Sequence, residues 1–195
     1  ADTKTLMPQV AKLKESFGVE RVVLVGDRGM ISHKAIGELK DIDGMAWITA
    51  LKSTQIRGLV EAGALQLGLF DERNLFEFSD PAYPGERLIA CRNPELAKLR
   101  AHKRQALLAA TTLELEQIRE RVARGALQGA AAIGVKLGRV LDKYKVGKHF
   151  ELIITDTAVN YQVLEPQVAA EAALDGIYVI RTGVPKKQMS APEAV

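Results

Sequence analysis

The 195-residue sequence is poor in the residues that most quickly narrow a protein's chemistry. A single cysteine, Cys91, excludes an internal disulfide and gives no sign of an oxidising compartment. Its apolar neighbours Leu88, Ile89 and Ala90 point to a buried structural thiol rather than a nucleophile. Aromatic residues make up 5%, few for the stacking platforms that single-strand binders use. The histidines His33, His102 and His149 stand far apart, with no second histidine or cysteine at ligand spacing, which argues against zinc. No apolar run is long enough to span a bilayer and no signal peptide opens the chain, so the expectation is a cytoplasmic protein without a membrane partner. GxGxxG, P-loop and nucleophile-elbow patterns are also missing.

What is there resembles an ordinary globular protein: 47% hydrophobic and 26% charged residues. A net charge of +3 permits a nucleic-acid partner without requiring one. The charge is uneven, because Glu95 to Lys148 holds twelve basic and five acidic residues, a net +7, leaving the rest mildly acidic. The ends read as cuts inside a larger protein. Asp2 and Thr3 form a helix N-cap at the very start, and Ser190 to Glu193 resembles the capping box of a helix barely begun.

The hydrophobic pattern predicts a helix over 2–17, with Leu6, Val10, Leu13 and Phe17 on one face. RVVLV at 21–25 is a short, nearly continuous apolar run, which predicts a strand buried on both faces. Ser32 is placed to cap a helix through Lys40, with Ala35, Ile36 and Leu39 inward, and MAWITAL at 45–51 predicts another strand. This alternation marks an α/β layer architecture. A short helix over 55–61, a loop with extended pieces over 65–78 and a strand over 87–92 follow. A long helix from Asn93-Pro94 to about Arg124, the glycine-rich break 125–134 and a second helix to Tyr144 predict a helical hairpin. ELIIT at 151–155 and VNYQV at 159–163 predict a β-hairpin turning at Asp156, followed by a helix from Pro166 to Leu174 and a strand over 177–181.

The strongest candidate for chemistry is Val22-Val23-Leu24-Val25-Gly26-Asp27-Arg28-Gly29-Met30. A carboxylate at the end of a buried strand lies where α/β folds assemble their sites. The glycines allow a tight turn and a close ligand, and Arg28 can hold Asp27 ionised or meet a phosphate itself. The plain alternative is that Asp27 and its glycines only make a turn. Asp41, Asp43 and Asp156 are explained by turns in the same way, and Trp47 by the core.

LVGDRGM after a strand, then the helix over 32–40 and the WITAL strand, resembles the second catalytic motif of DDE transposases of the IS-four-like superfamily. TQIRGLVEAGALQLGLFDE and DGIYVIRT resemble further segments of that family, in the same order, so the resemblance runs along essentially the whole chain. It implies an RNase H-like fold in which two aspartates and one glutamate hold two Mg²⁺ (or Mn²⁺) ions about 3.5–4 Å apart, for in-line attack on a phosphodiester. Asp27 matches the second aspartate and is the expected catalytic metal ligand. The first aspartate then lies upstream of Ala1, and the glutamate, in a Tyr/Arg/Glu/Lys signature that this sequence does not show, beyond the loop over 182–195. Glu193 falls too early for that role. The chain alone is therefore expected not to cleave DNA.

The resemblance thus implies a partial RNase H-like core, a mixed sheet with flanking helices, from residues 1–51 and 150–195. An α+β insertion with long helices occupies 52–149. Its basic helices offer phosphate contacts through Lys98, Arg100, Lys103, Arg104, Arg119, Arg121 and Arg124, with Arg28 as a further DNA contact. A solvated face of ordinary charge pairs is the alternative. The partners implied are the terminal inverted repeats of an insertion sequence and further copies of the protein, in the nucleoid. The rival functions are a non-catalytic DNA-binding or oligomerisation remnant, and an unrelated α/β enzyme that binds phosphate at the Asp27 turn.

Overall fold

The computed structural model describes residues 6–195, and the side chains of all of these except Leu6, Met7, Ala11 and Leu13. The expected N-cap at Asp2 and Thr3 lies outside the described residues. Helices and strands alternate around a mixed sheet, as an α/β protein requires. The chain forms two compact units, Ala1–Asn93 with Gly176–Val195, and Pro94–Asp175.

The first unit holds α1 (Leu6–Phe17), β1 (Val22–Val25), α2 (His33–Lys40), β2 (Met45–Ala50), α3 (Ser53–Glu61), β3 (Leu75–Phe78) and β4 (Arg87–Arg92). In sequence order its last strand is β7 (Ile177–Thr182). The sheet order is β1-β2-β7-β4-β3. Only β1 and β2 are parallel, in a register that sets Leu24 beside Trp47. β7 lies antiparallel between β2 and β4, with Ala50 opposite Ile180 and Ala90 opposite Val179.

Ser32 caps α2 as its sequence predicts, its Oγ accepting from the Ala35 N–H at 3.2 Å. The helix then buries Ala35, Ile36 and Leu39, and Ile36 and Leu39 pack with Ile31 and Trp47. Leu88, Ile89, Ala90 and Cys91 of β4 are all buried, because that strand is flanked on both edges. Burial pushes the Cys91 thiol up to about 11, so it is a packing group and not a nucleophile at neutral pH.

Two expectations for this unit are corrected. β1 is not buried on both faces: Leu24 packs against the cluster of Ile31, Ile36, Leu39 and Trp47, whereas Val23 and Val25, on the opposite face, are exposed, Val25 to 71%. Phe17 is 73% exposed, so the buried face of α1 includes Val10 but stops short of its last turn.

The second unit is the helical hairpin with its own small sheet. α4 (Pro94–Ala123) and α5 (Ala130–Tyr144) pack through Leu115, Ile118, Val122, Ile133, Leu137 and Val140. β5 (Phe150–Ile154) and β6 (Val159–Val163) pair only with each other, and Phe150 and Val159 complete the same core. The expected turn at Asp156 is there, and it also serves α5: its Oδ1 accepts from the Ala130 N–H at 2.9 Å, capping that helix. α6 (Glu165–Ala172) closes the unit.

The compact units therefore differ in extent from the expected segments 1–51 with 150–195, and 52–149. Residues 75–78 and 87–92 belong to the main sheet because β4 pairs along the whole of β7. Residues 150–163 lie outside that sheet because β5 and β6 satisfy each other. No helix among the described residues is long and apolar enough to cross a membrane.

Candidate functional site

Gly26 ends β1 by donating its N–H to the Ile48 carbonyl at 3.1 Å, across the parallel pair. A Cβ on Gly26 would stand 2.8 Å from the end of the Met30 side chain and 3.1 Å from that of Ile31, so a larger residue here would make both side chains give way. Asp27 then makes the turn. Its Oδ1 accepts from the Gly29 and Met30 N–H groups, each at 2.8 Å, and its carbonyl accepts from Met30 and Ile31. These two N–H bonds, from Met30 and then Gly29, with a smaller contribution from the Arg28 charge, hold the carboxyl below the usual aspartate range. Asp27 is thus an exposed, ionised carboxylate with one oxygen committed to its own turn.

Beside that turn lies a hollow of about 120 Å³, lined by Arg28, Ile31, Ser32, His33, Ala50, Lys52, Gln55 and Arg181. Its position follows from the topology. The parallel strands β1 and β2 both end here, and α2 and α3 both begin here, with Ser32 and Lys52 as their N-caps. First-turn N–H groups and the positive ends of two helix dipoles therefore face the same space. Arg28 and Lys52 are exposed and make no ion pair among the described residues.

Arg181 is different. It lies in β7, its side chain is 4% exposed, and Glu86 grips it through two bonds of 2.7 and 2.6 Å. Lys40 reaches the same carboxylate at 3.5 Å, and the Tyr83 ring lies 4.9 Å from the Arg181 guanidinium. Burial opposes ionisation of Glu86, but the bonds and charge of Arg181, with Lys40, outweigh it and hold the carboxyl below its ordinary value. Sequence reading missed both residues. Glu86 follows a Pro-Gly turn and looks like an exposed loop acid, while its partner lies 95 positions away.

The expected DNA contacts fare unevenly. Arg28 lines the hollow. Arg104 is buried and makes a two-pronged pair with Asp175, with Oδ1 at 3.0 Å, and lies 3.9 Å from Glu171; its guanidinium is occupied and does not face solvent. That corrects its assignment as a phosphate contact. Lys98 pairs with Glu95 at 2.9 Å, and Arg119 with Glu116 at 2.6 Å while lying over Tyr161. Arg124 donates to the Glu120 carbonyl at 3.4 Å. Arg100, Lys103 and Arg121 are exposed without an ion pair among the described residues, as are Lys136 and Arg139 of α5, which the sequence reading did not single out.

No group of three or more His, Cys, Asp or Glu that could hold a metal ion occurs among the described residues. Asp27 alone, with one oxygen engaged, does not make a complete metal site. Comparison of the chain with protein-family models, curated proteins and solved structures finds no match.

Proposed function

We propose that this chain is part of the catalytic domain of a DDE-type DNA transposase, which cleaves and joins strands at the terminal inverted repeats of an insertion sequence. The observation that supports it best is the setting of Asp27: an ionised, exposed carboxylate immediately beyond β1 of a parallel strand pair, next to a cationic hollow. In this reading the sheet unit is an RNase H-like core, and Asp27 supplies one carboxylate to a Mg²⁺-binding set completed from outside the described residues. The other carboxylates come from the rest of the reading frame, and the protein works as an oligomer on DNA.

The test is divalent-metal-dependent cleavage and joining of labelled element ends by the complete reading frame. Asp27→Asn is expected to lower the rate by about a thousandfold, the scale on which a lost charge-stabilising group acts, while end binding survives. Wild-type transfer by Asp27→Asn would remove the proposal. The 195-residue chain by itself is expected to show no transfer.

A further inference from the structure

We propose that the hollow where β1 and β2 end is a phosphate-binding subsite, and that it takes a backbone phosphodiester of a nucleic-acid strand beside Asp27. The nucleic-acid part rests on the transposase reading; the phosphate part rests on the hollow itself. Among the cations of the sheet unit, Lys34 is paired with Glu38, Lys40 and Arg181 with Glu86, and Arg87 and Lys186 with Glu77. Arg28 and Lys52 are not, and both line this one space.

Uncompensated positive charge in a concave, largely polar setting attracts an anion. The two helix starts add to it, since each presents N–H groups that have no acceptor within the helix. Arg181 contributes shape and not net charge, because Glu86 already neutralises it; it fixes the floor against which a ligand sits. A tetrahedral oxyanion suits this set better than a planar carboxylate does. The Arg28 fork, the Lys52 ammonium, the Ser32 hydroxyl and the helix N–H groups are separate donors around one hollow and together call for several acceptor oxygens. Asp27 is the negative group nearest in sequence, and its Oδ1 is turned to the Gly29 and Met30 amides.

The experiment titrates the ¹⁵N-labelled full chain with inorganic phosphate, then with a short single-stranded oligonucleotide and its duplex. Both classes of ligand are expected to shift the amides of residues 28–33 and 52–55. Arg28→Ala with Lys52→Ala should weaken each by about tenfold or more. Arg28→Lys with Lys52→Arg should retain most of the affinity, and Lys136→Ala with Arg139→Ala should leave phosphate binding unchanged. Amides that stay still with both ligands, or move equally in the double alanine variant, would overturn the subsite. Shifts with phosphate but none with saturating oligonucleotide would overturn its assignment to nucleic acid.

The two proposals fail separately. If the double alanine variant of the complete protein keeps its transfer rate and end affinity while Asp27→Asn loses transfer, the subsite is wrong and the transposase stands. If phosphate binding needs Arg28 and Lys52 but Asp27→Asn transfers normally, the subsite stands and the catalytic reading falls.

Discussion

Each compact unit buries one arginine in the grip of acidic side chains, and the two are used differently. Arg181 of the sheet unit is held by Glu86 and lines a hollow whose other cations, Arg28 and Lys52, are unpaired. Arg104 of the helical unit is held by Asp175, and around it Lys148 and His149 converge on Glu171. In the sheet unit charge is thus left available beside the buried arginine, at Arg28 and Lys52 among other unpaired cations. In the helical unit much of it is consumed at home. Within Pro94–Asp175 there are twelve basic and ten acidic residues, a net +2, although the shorter stretch Glu95–Lys148 carries +7. Acidic residues from β5 onward bring the balance down, and two of them, Glu171 and Asp175, flank Arg104. A basic run along a sequence is a charge count; only the fold says how much of it a ligand can meet.

The comparison is most exposed to test at the two carboxylates. Glu86→Ala leaves Arg181 buried and unpaired, and should destabilise the sheet unit by about 3–5 kcal/mol in urea unfolding followed at Trp47, the only tryptophan. Asp175→Ala leaves Arg104 with Glu171 nearby, so a smaller loss of about 1–3 kcal/mol is expected from amide exchange in α4 and α5. Equal losses would mean that the two arginines are equivalent after all.

Gly44→Ala gives a reference for backbone effects. Gly44 has φ +73°, and a Cβ there would lie 1.9 Å from the Glu20 carbonyl oxygen, so about 3 kcal/mol should be lost on the same Trp47 readout. A neutral outcome would show that the turn before β2 relaxes freely.

Smaller effects probe available charge. The salt dependence of DNA binding should flatten by about 0.7–0.9 per neutralised phosphate contact when Arg28 and Lys52 are removed. Arg104→Ala should leave the slope unchanged in any variant that stays folded. A slope that responds to Arg104 instead would reverse the assignment of free and committed cations.

The smallest effect is a pH dependence. Burial lowers the basicity of His149, against the opposing pull of Glu171, so the folded helical unit binds this proton less readily than the unfolded chain. Its contribution is complete above about 6.5, the unfolded value, and is lost as pH falls from there toward the lower folded value. Amide protection factors in the helical unit, corrected for the intrinsic exchange rate at each pH, should therefore fall below pH 6.5, and His149→Gln should blunt the change.

The local elements were legible because their signals are local. The Ser32 cap, the hairpin turn at Asp156 and the glycine-rich break between the long helices each follow from a few adjacent residues. The limits of the units were not, because they depend on which strands choose each other. ELIIT is as apolar as a core strand, yet its partner begins at Val159, just after the turn that follows Ile154, and its sheet ends there. RLIACR carried the opposite signal, since four consecutive buried side chains fit a strand with neighbours on both sides. For the site, the sequence supplied Asp27, Arg28 and the two glycines. It could not supply Lys52, Glu86 or Arg181, which join the site only through the order of strands across the sheet.

That order has a consequence for how the chain reaches its native state. β7 is the middle strand, so without residues 177–182 the sheet is two separate strand pairs, β1 with β2 and β3 with β4. β7 also follows the other described strands in the sequence, and its pairing with β4 must close over the whole of Pro94–Asp175. Closing so long an excursion is slow when it is unstructured. Local folding of the helical hairpin shortens it, and the Asn93 N–H finds the Gly176 carbonyl at 2.9 Å where the excursion ends. The floor of the hollow, Arg181, arrives with that same strand, so the pocket cannot exist until the sheet has been sewn shut.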